Sequence, residues 1–319
     1  MVDVLAPSWC APAYARMRGV GNIVESALAH GRIDWTRRKE LAGLLAANGY
    51  ARAVVLPNSW KSALVPWLAR IPRRTAYIGE MRWGLVNDVR RLDREALPRL
   101  VDRYAALAGP AAESAPNASA PALVADSANR AAAVAALHLD LDRRVAVLCP
   151  GAEFGPAKRW PPGYFAELAR KFVADGLQVW LIGSPGDKPA TQAVRVAAGE
   201  SGTAITDLAG RTDLGTAIDL LSLASIVVSN DSGLMHAAAA VDVPLVALFG
   251  SSSPAYTPPM STAAKIARID IACSPCFKRE CPLGHFKCMR DLDPVSVYDL
   301  SRSTLRSERS PAGSVPQNP

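Results

Sequence analysis

Lys158 and Arg159 close a glycine-bearing stretch, residues 150–161 (PGAEFGPAKRWP), that follows directly on an apolar run at 145–148. The turn leaving the carboxyl end of a buried strand is where α/β domains hold ligands, and glycine there lets an anion approach the backbone. Gly151, Ala152, Lys158 and Arg159 therefore suit a phosphorylated ligand, the competing reading being a solvated loop that is merely basic. A second stretch carries complementary chemistry. Apolar residues 226–229 run into Asn230, Asp231, Ser232 and Gly233, then an alanine-rich helical run bearing His236, then more apolar residues at 244–249. Asn, Asp and Ser favour helix N-caps, and glycine beside them uncovers N–H groups at the positive end of the helix dipole. Asp231 repels a diphosphate but accepts bonds from hydroxyls, so a ligand joining phosphate to sugar fits both stretches. Taken alone, Asp231 and Ser232 read equally well as helix caps, and His236 as a satisfied, half-buried histidine.

These residues need elements to place them. In the first part of the chain, strand-like residues 2–5 and 53–56 alternate with helical runs at 35–47 and 59–69. Farther on come an apolar strand at 145–148, a helix at 162–175, a strand at 178–182, a loop at 183–187, a strand at 204–206 and a helix at 214–223. Such alternation signals parallel sheets covered by helices. Right-handed crossovers then bring the turns 151–158, 183–187 (with Ser184 and Asp187) and 230–233 to one rim of one sheet. Residues 109–121 shift to Ala, Pro, Ser and Asn and read as a loosely ordered segment near a domain boundary. The expected division is 1–125, 126–305 and a mobile tail at 306–319.

A chain of 319 residues with half of them apolar suffices for two cores. It shows neither an apolar run of about 18 residues nor a signal-like start, which predicts a cytoplasmic protein. A net charge of +7 suits an anionic partner. Nucleic acid is disfavoured, because aromatics are only 6% and neither a recognition-helix nor an RNA-binding signature occurs. Cys273, Cys276, Cys281 and Cys288 are spaced C-x2-C-x4-C-x6-C around His285. In a cytosolic chain this suggests a structural metal or reduced thiols rather than disulfides, and it fits no common zinc module. Cys10 and Cys149 read as small buried hydrophobes. Asp140 and Asp142 form a D-x-D that reads as a surface turn, and Gly19 and Gly21 lack the third glycine of a dinucleotide loop.

Five stretches in order, residues 56–66 (LPNSWKSALVP), 74–90 (RTAYIGEMRWGLVNDVR), 150–161, 230–240 (NDSGLMHAAAA) and 245–259 (LVALFGSSSPAYTPP), together resemble the ADP-heptose glycosyltransferases, glycosyltransferase family 9. The resemblance covers the chain to about residue 300. It implies an α/β fold of GT-B type, with two facing Rossmann-like domains on parallel sheets. It also implies inverting, metal-independent transfer of L-glycero-D-manno-heptose from ADP-heptose to the heptosyl inner core of lipopolysaccharide, without a cofactor, in peripheral contact with the cytoplasmic face of the inner membrane. By the same resemblance Lys158 meets the charge on departing ADP, Asp231 and nearby backbone hold the heptose, His236 supports that turn, and Asp187, Leu208 and Ala209 lie near the nucleoside. Asn58, Ser59, Lys61, Glu80, Arg82 and Asn87 fall on the acceptor side, where amides, hydroxyls and cations suit an anionic sugar. Ser59 and Asn87 read equally as helix caps, and Glu80 as the partner of Arg82 or Arg90. The family pattern begins with a strand, a glycine loop and a helix that carry the aspartate base, whereas Met1 matches a point beyond them. The expectation is therefore an incomplete N-terminal domain with unpaired strand edges and no general base in this chain. A catalytically silent nucleotide-sugar binder is the alternative.

Overall fold

The computed structural model describes residues 1–28, 33–110 and 118–307. Residues 308–319 of the expected tail (306–319), and residues 111–117 of the expected boundary segment, lie outside the described residues, while helix Pro294–Ser307 carries residues 306 and 307. The chain divides into two compact units. Unit 1 comprises Met1–Ala11, Gly21–Ser119 and Ala255–Thr257; unit 2 comprises Pro12–Val20, Ala120–Pro254 and Pro258–Pro319. The main division thus falls at Ser119, with two short excursions that composition does not reveal.

In unit 1, β1 (Val2–Pro7) pairs with β2 (Val20–Ser26), while β3 (Arg52–Val54), β4 (Arg73–Tyr77) and β5 (Asp88–Arg90) form a separate parallel sheet in that order. The strand expected at residues 2–5 does not join the parallel sheet of the strand expected at 53–56, because β1 takes its partner from β2, a strand with no clear alternation in its sequence. Helix Trp35–Ala47 starts at Asp34, whose carboxylate accepts the Arg37 N–H. Its face of Leu41, Ala42 and Leu45 packs with Val65 of helix Trp60–Leu68 and with Ile71.

Unit 2 is a six-stranded parallel sheet of β6 (Val145–Cys149), β7 (Gln178–Leu181), β8 (Ile205–Asp207), β9 (Ala224–Asn230), β10 (Leu245–Leu248) and β11 (Ala264–Ala267), in the order β11-β10-β9-β6-β7-β8. All five residues of β6 are buried, which is why it reads as an unbroken apolar run. Its side chains alternate between two cores. Ala146 and Leu148 join Phe165, Leu168 and Phe172 of helix Pro162–Ala174, whereas Val145, Val147 and Cys149 join Met235 and Ala238 of helix Gly233–Ala240. The helices that follow β6 and β9 therefore leave toward opposite faces. That divergence between neighbouring strands is the topological switch point at which open α/β sheets bind ligands.

A buried ion pair anchors the Pro12–Val20 excursion to unit 2. Asp219 has no exposed side-chain surface and receives Arg16 Nε at 2.9 Å and Nη2 at 2.7 Å, Asn129 Nδ2 at 2.7 Å and the Asp126 N–H at 2.8 Å. Burial pushes its pKa up, but the bonds from Arg16, Asn129 and Asp126 outweigh that, so the carboxyl lies below its usual range. Of the two cysteines expected to be buried, Cys149 is, and burial pushes its thiol up to about 12. Cys10 is a correction: it sits partly exposed in the turn after β1, with Sγ donating to Pro7 O.

Candidate functional site

Asn230, the last residue of β9, builds the switch point. Its side chain is fully buried, with Nδ2 donating to Pro150 O at 2.8 Å and Oδ1 accepting the Trp160 N–H at 3.1 Å. One amide thus staples both ends of the loop after β6 to the end of β9. This side chain positions the loop, and its burial takes it out of direct ligand contact. Within the loop, Arg159 donates to Ala152 O through Nε at 3.2 Å and Nη2 at 3.1 Å, and Ala152 is itself buried.

The loop delivers Lys158 to Asp231, with Nζ 2.5 Å from Oδ2, the two side chains being 17% and 5% exposed. Ser252, on the loop after β10, donates Oγ to the same oxygen at 2.5 Å. Lys158 Nζ also lies 5.1 Å from the centre of the Phe154 ring, close enough for cation–π attraction. His236 stands behind this group; burial holds its imidazole below the usual histidine pKa, Asp231 opposing and Lys158 adding to the effect. The alternative in which Asp231 and Ser232 only cap the helix is not what the side chains do. Asp231 is held by Lys158 and Ser252, while Ser232 occupies the N-cap position without a side-chain cap bond, its Oγ 3.3 Å from Ser229 Oγ. The N–H groups of the helix beginning at Gly233 are left uncapped by side chains, as an anion or sugar site requires.

The loop after β7 meets the same rim. Asp187 Oδ2 accepts the Ser184 N–H and Oγ–H, each at 2.8 Å, in a closed capping box. A Cβ added to Gly151 would lie 2.2 Å from the Asp187 carboxylate, so glycine is what lets the loops after β6 and β7 touch; one on Gly183 would lie 2.8 Å from Asp187 Cβ, so the second loop also needs glycine to fold back on itself. The next turn joins by backbone, the Gly210 N–H bonding Gly183 O at 2.9 Å. Leu208 is fully buried and Ala209 nearly so, and their N–H groups are already engaged, by Leu181 O at 2.9 Å and Asp207 Oδ1 at 3.0 Å, so these two residues shape the turn.

The Cys-rich segment, assigned no place at this rim from sequence, buttresses it. Arg279 O accepts the Ala157 N–H at 3.0 Å, the Phe277 N–H bonds Ser251 O at 2.7 Å, and Ser274 Oγ bonds Gly250 O at 2.7 Å. All four cysteines of the segment are free of disulfides, and Cys281 Sγ accepts the Phe286 N–H at 3.4 Å. Among the described residues, no three or more His, Cys, Asp or Glu side chains are grouped to hold a metal ion.

Unit 1 carries the other six expected residues, and two readings there, for Glu80 and Asn87, need correction. Glu80 does not pair with Arg82 or Arg90. Its Oε2 accepts the Trp60 N–H at 3.1 Å, because the free donors at the start of helix Trp60–Leu68 attract a carboxylate. Ser59 holds the N-cap position of that helix but makes no side-chain cap bond, and Asn87 caps no helix. Asn87 instead bridges strand ends, Oδ1 accepting the Arg74 N–H and Nδ2 donating to Pro72 O. Arg82 is buried, donating to Pro57 O and Tyr77 O, and Arg90 pairs with Asp88. Asn58 O accepts the Glu80 N–H at 3.1 Å, and Lys61 O accepts Arg38 Nη1 at 2.7 Å. The loops holding Asn58, Ser59 and Glu80 thus lie together. Elsewhere, Asp140 accepts the Asp142 N–H at 2.8 Å in an exposed turn.

Two α/β units, one of them a parallel sheet with Lys158 paired to Asp231 at its switch point, are what a GT-B-like fold consists of, and the heptosyltransferase structures to which this chain is similar share that fold. Residues 38–287 match the model of glycosyltransferase family 9 (heptosyltransferase), and the chain belongs to that family. It is 41% identical over 315 residues to lipopolysaccharide heptosyltransferase 2 of Salmonella typhimurium strain LT2, covering 97% of this chain and 90% of the relative. The solved structure of E. coli ADP-heptose lps heptosyltransferase II superposes with a TM-score of 0.86 at 39% identity, over 97% of this chain and 91% of the other. E. coli heptosyltransferase WaaC with ADP shares the fold at a TM-score of 0.67 and 19% identity, over 95% and 89% of the two chains.

Proposed function

We propose that the chain transfers L-glycero-D-manno-heptose from ADP-heptose to the heptosyl inner core of lipopolysaccharide, with inversion and without a metal ion. The observation that carries this reading is the Lys158–Asp231–Ser252 group at the switch point, beside an uncapped helix start. Cleaving a sugar from a diphosphate leaves negative charge on ADP, and fixed positive groups stabilise it as it forms. Lys158 and the N–H groups near Gly233 supply these, which is the work a bound cation performs in other phosphoryl-leaving reactions. Asp231 accepts bonds from the heptose hydroxyls, and Asp187 and the turn shaped by Leu208 and Ala209 lie near the nucleoside. Unit 1 takes the acceptor through Asn58, Ser59, Lys61, Glu80, Arg82 and Asn87, of which Arg82 and Asn87 act by shaping loops. The acceptor hydroxyl needs a base, and Glu80 is engaged as a helix cap, so the role is assigned to no residue described here.

The net charge of +7 supports peripheral attraction to the anionic cytoplasmic face of the inner membrane, where an amphiphilic acceptor resides. Among the described residues no helix is long and apolar enough to cross a membrane. The test is ADP release from ADP-heptose, with and without a heptosyl-terminated acceptor, followed by the anomeric configuration of the product. Acceptor-dependent release, unchanged by a chelator and giving inverted product, is expected. Release abolished by the chelator removes metal independence, and no release with any heptosylated acceptor removes the assignment.

A further inference from the structure

The loop after β10 contributes Ser252 to the donor-site group, in which Lys158 and Asp231 meet the ligand and the serine hydroxyl touches only Asp231. Ser252 is 6% exposed and donates to Asp231 Oδ2, the oxygen that also receives Lys158 Nζ. On the reading above, which this inference deepens, Lys158 must turn from Asp231 to the diphosphate when the donor arrives. That exchange strips a buried carboxylate of its ammonium partner, a costly step unless another donor stays behind. Ser252 is placed to stay. Its loop is pinned from the far side by the Ser274 Oγ bond to Gly250 O and the Phe277 N–H bond to Ser251 O. A Cβ on Gly250 would lie 2.3 Å from Met289 Sδ, so the chain there is closely packed. The backbone thus keeps Ser252 beside Asp231 when the lysine leaves.

We propose that Ser252 is a positioning residue that keeps Asp231 charged and in place while Lys158 swaps from that carboxylate to the diphosphate of the donor. In the free protein the Lys158–Asp231 pair is then a latch, and Ser252 lowers the cost of opening it. Without its hydroxyl, Lys158 is held more tightly and the diphosphate competes less well.

A double-mutant cycle on ADP affinity, read by titration calorimetry, tests this. Ser252→Ala is expected to weaken ADP binding about tenfold in the parent, about 1.4 kcal/mol. In an Asp231→Asn background, where no carboxylate needs the hydroxyl, the same change is expected to cost less than about twofold. Ser252→Cys, nearly the same size but a weak donor, is expected to resemble Ser252→Ala and keeps the test available should the alanine variant fold poorly. Parent-like ADP affinity in either Ser252 variant would overturn the proposal, as would equal losses in both backgrounds, which indicate general loop damage. Failure of the parent itself to bind ADP would overturn the donor-site reading on which the proposal rests.

Discussion

Replacing Lys158 by methionine separates the two roles the structure gives this side chain. The pair with Asp231 is largely buried, at 17% and 5% side-chain exposure. Breaking a buried pair by removing one partner costs about 3–5 kcal/mol. Lys158 retains some solvent and Ser252 remains on the orphaned carboxylate, which brings the expected loss to about 2–3 kcal/mol. For a unit of this size that lowers Tm by roughly 4–12 °C. Loss of a fixed positive group facing developing charge is expected to cut kcat by about 10²–10³. Adding Asp231→Asn to Lys158→Met removes the orphaned charge, so stability is expected to return to within about 1 kcal/mol of the parent while turnover stays low. Thermal melting and acceptor-dependent ADP release, measured on the parent and both variants, read the two effects separately. The reasoning fails if Lys158→Met keeps turnover within about threefold of the parent, or if activity recovers together with stability in the double variant.

Three further outcomes are expected. Gly155→Ala places a Cβ 2.5 Å from Arg279 O at a φ of +150°, and is expected to lower turnover by displacing the Lys158 loop, at about 1–3 kcal/mol of strain; parent-like rates and melting would show that the loop adapts freely. Asp219→Ala leaves Arg16 only the looser, half-exposed carboxylate of Asp126 at 3.9 Å and is expected to destabilise by about 2–4 kcal/mol in urea unfolding, a loss under 1 kcal/mol counting against the anchor. His236 has a folded-state pKa below its unfolded value near 6.5. The unfolded chain therefore binds the extra proton, and stability falls as pH drops from about 6.5 toward the folded pKa; His236→Gln is expected to flatten melting between about pH 7 and 5, and an unchanged slope would remove His236 as the cause.

The parts legible in the sequence were those whose physics is local. β6 announced itself as an apolar run because both its faces are covered, and the helix at 35–47 and the one near 59–69 followed from composition over a dozen residues. The residue types at Lys158 and Asp231 suggest phosphate and sugar chemistry, but their pairing depends on Asn230 stapling both ends of one loop, contacts 70 and 80 residues long in sequence. Arg16 and Asp219 stand 203 residues apart, beyond the reach of any pattern. Ser252 was invisible for another reason: one serine in a run of three looks like turn filler until its hydroxyl is seen on a buried carboxylate. Glu80 was misassigned because arginines nearby in sequence seemed its natural partners, whereas the open helix start at Trp60 lay closer in space.

The claim on which the account depends is that one ligand is shared at the switch point, its diphosphate on Lys158 and its sugar on Asp231. Calorimetric titration of the parent and Asp231→Ala with ADP and with ADP-heptose tests it most directly. The parent is expected to bind ADP-heptose more tightly than ADP, and Asp231→Ala to bind the two alike. A variant that still prefers ADP-heptose by the parent's margin would contradict the assignment of Asp231 to the sugar and, with it, the site.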